Sequence, residues 1–375
     1  MASRSTLRSI CRGAGVSGEK MPVSKLSAQP EGTYLRNTWY VAGWAGDLGE
    51  APQQRTFLEE PVALFRDGDG VAQAVSGRCP HRFAPLGHGS VVEGALMCPY
   101  HGLRFDGGGR CVHNPHPGGQ LPDVQLRVYP LVERHALLWI WMGEAEKADA
   151  ELIPDFSWLS DLKWEAVRGA TVAEGHFELY SDNILDLSHA NFVHPALVAS
   201  AFTEGERKFW QDGENVFAEY VRLNDLLSVG ISAVMGTEGR PQDFYGMVKW
   251  HAPAVLYFDF RAGEPGTPRE DCTLLPSLHA FTPETPDTTH YFWATARDYK
   301  LGDAAFTAAM RGALEFAFEQ EDMPIIRDSH RLMRGKDFWD LRPLILGGDG
   351  GGVRARRMLQ RLIEREQQQD AIVKP

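Results

Sequence analysis

Two cysteines and two histidines stand in a pattern suited to metal chemistry: Cys79-Pro80-His81, sixteen further residues, then Cys98-Pro99-Tyr100-His101. Thiolates suit one ferric ion of a sulfide-bridged pair. Neutral imidazoles on the other iron raise the potential above that of an all-cysteine cluster. The four residues therefore read as the ligand set of a [2Fe–2S] centre with mixed ligation. A single zinc ion on the same residues is the competing reading, but zinc loops usually space their ligands by two to four residues, and one residue separates Cys79 from His81. Pro80 and Pro99 restrict the backbone of each ligand loop, and Gly102 permits close approach beside the second.

A second group begins at Asn183-Ile-Leu-Asp186-Leu-Ser-His189-Ala-Asn-Phe-Val-His194. Ferrous iron that activates oxygen needs open coordination positions, commonly left by two histidines and one carboxylate. His189 and His194 are five apart, about 140° around an ideal helix, so they converge only where a helix bends or ends between them. Pro195 is consistent with an ending. Asn183, Asp186 and His189 step by three and are neighbours on a helix, so Asp186 can accept the N–H of a ligating histidine and fix its tautomer. The carboxylate ligand must come from elsewhere, with Glu319, Glu321, Asp322 and Asp328 as candidates. Asp322 continues the apolar stripe of Phe306, Met310, Leu314 and Phe318, where a carboxylate needs a partner, and it is the choice.

The elements that must hold these groups fall into two parts. Residues 33–145 alternate short apolar runs with turn residues, as in Val62-Ala-Leu-Phe65 before Asp67-Gly-Asp-Gly70, and read as a small all-β domain. Val112–Pro117, Leu126–Tyr129 and Ala136–Trp141 continue that pattern. Residues 146–375 form the second domain. Helical spacing over 176–191 and 303–322 flanks strand-like alternation over 208–260 and 272–298, and a last helix runs from about Val353 to Gln368. The fold class is α+β: an all-β domain followed by an antiparallel sheet with helices packed against it. Gly347–Gly352 reads as a turn before the last helix rather than a phosphate loop, because no clear strand precedes it.

Composition narrows the partners. A net charge of −12 argues against a non-specific nucleic-acid binder, and no apolar run approaches the length of a membrane span. Five scattered cysteines are too few for a disulfide scaffold, and two of them sit at ligand spacing, which points to a reducing, cytoplasmic setting. Residues 1–32 read as a flexible tail. An organelle leader carrying Arg4, Arg8 and Arg12, or a true start at Met21, are the other readings of its first 20 residues.

Cys79-Pro-His-Arg-Phe-Ala-Pro85, Cys98-Pro-Tyr-His-Gly-Leu-Arg-Phe-Asp106 and Cys111-Val-His-Asn-Pro115 resemble Rieske non-haem iron oxygenases of the vanillate O-demethylase and dicamba monooxygenase type. Respiratory Rieske proteins carry an extra cysteine in each loop, and residues 82–87 and 102–106 contain none. The resemblance extends to the family's N-x-x-D-x-x-H-x4-H motif, at Asn183, Asp186, His189 and His194, and to its Glu-Asp pair, at Glu321-Asp322. It implies that Cys79, His81, Cys98 and His101 hold a Rieske cluster, that His189, His194 and Asp322 hold a mononuclear Fe(II), and that Asn183 sits near the iron. It further implies a homotrimer in which Asp186 bridges His101 of one subunit to His189 of the next. Electrons then come from NAD(P)H through a separate reductase, directly or through a ferredoxin, since no flavin or nicotinamide motif is found in the chain. The implied reaction takes O2 and a small substituted aromatic compound and ends in O- or N-dealkylation. Ring hydroxylation within the same superfamily is the alternative. An electron carrier with a structural second domain is the alternative from another class.

Overall fold

The computed structural model describes residues 34–194, 204–227 and 229–373. The N-terminal tail and Pro195 lie outside them. Ten short strands, β1 (Trp39–Trp44) to β10 (Leu137–Trp141), build the N-terminal part as three small antiparallel sheets. Glu60–Arg66 (β3) and Ala72–Ser76 (β4) form the expected hairpin, and Asp67 Oδ1 accepts from the Asp69 and Val71 amides in its turn. Leu126–Tyr129 departs from expectation: apart from a bridge between Val128 and Val75 it forms no strand.

The C-terminal part is one seven-stranded antiparallel sheet, ordered β11-β17-β16-β15-β14-β13-β12, where β11 is Glu165–Glu174, β12 Glu206–Asp212, β13 Asn215–Leu226, β14 Pro241–His251, β15 Val255–Gly263, β16 Thr273–Thr285 and β17 Thr288–Arg297. The fold class is thus the expected one. Side-chain alternation gives the sheet two jobs. Val255, Leu278, Ala280, Phe292 and Ala294 face the N-terminal strands and pack with Trp39, Trp139, Trp141 and Phe156. On the opposite face, Leu275, Ser277, His279 and Thr295 look toward the helices.

Those helices are α1 (Phe177–Leu185), α2 (Ala190–Val193), α3 (Val229–Met235), α4 (Ala304–Glu315), α5 (Met323–Met333) and α6 (Gly350–Val373). Between α4 and α5 the chain runs as a π-helix, Phe316–Asp322, where an unbroken α-helix was expected to reach Asp322. The last helix begins inside the glycine run, at Gly350, and extends beyond Gln368. Gly351 permits this, since a Cβ there would sit 3.2 Å from both Ala218 Cβ and the Leu185 carbonyl.

Candidate metal centres

The two cluster loops are built alike. The Cys79 amide donates to the Ala84 carbonyl at 2.9 Å and the Cys98 amide to the Leu103 carbonyl at 2.8 Å. The Phe83 amide returns to the Cys79 carbonyl and the Gly102 amide to the Cys98 carbonyl. The fifth residue of each turn is left-handed: Phe83 at φ 59° and Gly102 at φ 73°. Glycine takes that conformation freely, whereas Phe83 takes it against its Cβ.

This repeated turn buries Cys79 and Cys98 and leaves His81 exposed and His101 half-buried. The His81 and His101 rings lie 4.5 Å apart. Burial pushes the Cys79 thiol up to about 11, and the neighbouring Cys98 sulfur adds to the rise. Two adjacent buried thiolates thus need a cation between them, and two imidazoles wait on the outer side. That donor set fits a [2Fe–2S] cluster with one iron on each side. Of the nearby histidines, His116 lies 6.0 Å from the His101 ring, and Cys111 donates to the His113 carbonyl, outside both turns.

The second group converges as well. Helix α1 stops at Leu185, Asp186 turns the chain at φ −117° and ψ 89°, and a single tight turn over Leu187–His189 leads into α2. The break therefore falls before His189, not only between the two histidines. His189 Nε2 lies 3.5 Å from Asp322 Oδ1, and His194 Nε2 lies 3.2 Å from Asp322 Oδ2. One donor atom from each of the three residues falls within 4.8 Å of the others.

Each donor is held from behind. The His189 Nδ1–H points to the Asp186 carbonyl at 2.6 Å, the His194 Nδ1–H to Glu321 Oε2 at 2.8 Å, and Asn183 donates to Asp322 Oδ1 at 3.1 Å. With both Nδ1 atoms engaged as donors, each Nε2 lone pair is free for a metal, an arrangement typical of ligating histidines. Burial works against a protonated His194, but the Asp322 and Glu321 carboxylates outweigh it and raise its pKa. Two histidines and a carboxylate with room for further ligands fit ferrous iron.

Two expectations change here. Asp186 orients His189 through its backbone carbonyl rather than its carboxylate, because it sits at the helix end where that carbonyl has no partner of its own. Its carboxylate instead accepts from the Ser188 amide. Among the four candidate acids, Asp322 joins the histidines, while Asp328 pairs with Arg327 at the surface. Glu321, set aside in the sequence, holds His194; a π-helix, which turns more slowly than an α-helix, brings both neighbours to one site. A carboxylate adjacent to a ligand carboxylate was the available signal.

Beside the three residues opens a cavity of about 180 Å³ between the inner sheet face and α4. Leu187, Phe258, Phe260, Leu275, Met310, Leu314 and Phe318 make it apolar. Of the polar residues Asn224, His251, His279 and His290, His279 alone lines it.

Two family models match the chain. Residues 38–130 match the Rieske [2Fe-2S] domain, and residues 173–365 match the vanillate O-demethylase oxygenase C-terminal domain. The chain is 35% identical to the oxygenase component of chloroacetanilide N-alkylformylase from Rhizorhabdus wittichii, covering 89% of this chain and 97% of that one. It is 36% identical to the oxygenase component of dicamba O-demethylase from Stenotrophomonas maltophilia, over 89% and 99%. The crystal structure of dicamba monooxygenase with non-heme iron and dicamba superposes with a TM-score of 0.79 at 34% identity, over 90% and 99%. No helix among the described residues is long and apolar enough to cross a membrane. The chain is a Rieske-type oxygenase component and belongs to the family of the vanillate and dicamba O-demethylase oxygenases.

Proposed function

We propose that this protein is the terminal oxygenase of a dealkylating monooxygenase, with Cys79, His81, Cys98 and His101 as cluster ligands and His189, His194 and Asp322 as ligands of the mononuclear iron. When bound, the cluster would supply single electrons and the ferrous ion would activate O2. The observation that carries this reading is the convergence of His189, His194 and Asp322 on the wall of an apolar cavity. A pure electron carrier would have no use for a ligand set open toward a cavity.

The chain's own residues set the reaction's geometry. Asp186 and Glu321 fix the two imidazoles, Asn183 holds Asp322, and Phe258, Phe260, Leu314 and Phe318 keep bulk water from the reacting carbon. An alkyl ether or N-alkyl group presented there takes one oxygen atom into a C–H bond. The resulting hemiacetal or hemiaminal falls apart to an aldehyde and the free phenol or amine. The other oxygen atom leaves as water with two electrons and two protons, drawn from NAD(P)H through a separate reductase, directly or by a ferredoxin, in the cytoplasm.

Asp186 is assigned to the electron path and not to iron binding, since its carboxylate accepts from the Ser188 amide and is not one of the three converging donors. A homotrimer with head-to-tail contacts would bring His101 of one copy to Asp186 of the next. Exposed apolar side chains support this reading at both ends: Phe83 and Tyr100, each 64% exposed beside the cluster histidines, and Phe192, 79% exposed on the short helix that follows Asp186 and His189. The test is aldehyde release from methoxy- and N-alkyl-aromatic compounds with a reductase, alongside the mass of the holoenzyme by light scattering. Phenol and formaldehyde in equal amounts from a trimer are expected; ring hydroxylation without aldehyde would overturn the dealkylase reading.

A further inference from the structure

The cavity beside His189, His194 and Asp322 has a one-sided chemistry. Its lining is apolar except for those three residues, Ser277, His279 and Thr295. The Ser277 and Thr295 hydroxyls are 2.9 Å apart and bonded to each other. His279 has its Nδ1 against the Tyr291 hydroxyl at 2.7 Å. Either partner can donate in that bond, so the ring has at most its Nε2 side left for a ligand. Burial holds this imidazole neutral. No lysine, arginine, asparagine or glutamine lines the cavity among the described residues. Residues 195–203 and 228, outside the described part of the chain, carry no ionisable or amide side chain.

The nearest candidate cation along the sheet is Arg297, two residues beyond Thr295 on the same strand face. It is fully buried and turned to Glu165: its Nη2 lies 3.1 Å from that carboxylate and donates to the Lys300 carbonyl and the Thr307 hydroxyl, while Nε and Nη1 have no hydrogen-bond partner among the described residues. It is not among the lining residues.

We infer that the cavity selects an uncharged substrate: a neutral aromatic ether or N-alkyl anilide whose single strong polar group, a carbonyl or equivalent acceptor, meets at most two neutral donors from the wall, the His279 ring and whichever of the Ser277 and Thr295 hydroxyls does not donate to the other. This deepens the dealkylase reading and rests on it. An ionised carboxylate, sulfonate or ammonium placed here would lose its hydration with no opposite charge or set of donors to replace it, which is costly in an apolar site. The acids of the site, Asp322 and Glu321, are already occupied by histidines and leave no free anion for a cationic substrate.

The experiment uses the holoenzyme with a reductase and three compounds of matched shape: 4-methoxybenzamide, 4-methoxybenzoate and 4-methoxybenzylamine. Para placement keeps the variable group a ring's length from the reacting methyl. Binding is read from the perturbed EPR spectrum of the ferrous nitrosyl form, and turnover from formaldehyde. The amide is expected to bind roughly a hundredfold or more tighter than either ion and to carry nearly all the formaldehyde. Equal or tighter binding of the benzoate or the ammonium would overturn the substrate class, even with formaldehyde still produced. Selective binding of the amide with a hydroxylated ring and no formaldehyde would leave the substrate class standing and sink the dealkylase reading instead.

Discussion

Gly348 lies directly against the carboxylate of Asp186: a Cβ at residue 348 would fall 2.5 Å from Oδ1 and 2.6 Å from Oδ2. The glycine run is therefore a contact surface for the residue assigned to the electron path. Gly348→Ala should push the Asp186 carboxylate aside at a stability cost of about 1–3 kcal/mol. Steady-state NADH oxidation coupled to product should fall by roughly tenfold, while iron content and the visible cluster spectrum stay unchanged. Unaltered turnover would show that the position of this carboxylate does not limit electron delivery.

Glu321 holds His194 at 2.8 Å, so its loss should be felt at the iron and not at the cluster. Outer hydrogen-bond partners of ligating histidines typically contribute 10–100-fold in metal affinity. Glu321→Ala should weaken iron retention in chelator competition by roughly that factor. Glu321→Gln, whose amide oxygen still accepts from Nδ1, should recover most of it. Equal behaviour of the two variants would mean that the hydrogen bond has no part in holding the metal.

Gly102 combines a φ of 73° with a Cβ position 3.1 Å from Pro115 Cγ. Gly102→Ala should strain the second cluster loop by about 1–2 kcal/mol. Faster bleaching of the cluster's visible absorption in air is the expected readout, with iron at the second site retained. Phe83, left-handed at the equivalent turn position, predicts the converse: Phe83→Gly should relieve strain and leave the cluster at least as stable.

His279 gives the protein an acid-sensitive contribution. Burial pushes it down to about 4, with Asp322 working the other way, while an unfolded histidine titrates near 6.5. Below about pH 6.5 the unfolded chain binds a proton that the folded one refuses. This contribution is therefore complete above that pH and declines as pH falls toward 4. Between pH 7.5 and 5, urea unfolding of the wild type should lose about 2 kcal/mol more than His279→Phe does. Parallel losses would show that His279 is protonated in the folded state.

The residues legible in the sequence are those whose chemistry is tied to spacing along the chain. Cys79, His81, Cys98 and His101 fall on two short loops, and no tertiary knowledge is needed to see a four-ligand set. The strands of the large sheet declare themselves by alternation, and Asp322 by standing on the apolar stripe of a helix. Glu321 and Gly348 were not legible in the same way. Glu321 reaches His194 only because a π-helix offsets it, and Gly348 reaches Asp186 across more than 160 residues of chain. The carbonyl role of Asp186 depends on where α1 ends, and a one-residue shift in a helix end lies below what periodicity resolves.

Whether two separate iron centres serve one oxygenation is decided by iron and sulfide analysis of the wild type beside His189→Ala. About three irons and two inorganic sulfides per chain are expected in the wild type, and about two of each in the variant. The variant should keep the Rieske visible spectrum and release no aldehyde from any substrate. Two irons in both proteins, or undiminished aldehyde release by His189→Ala, would contradict two centres serving one oxygenation.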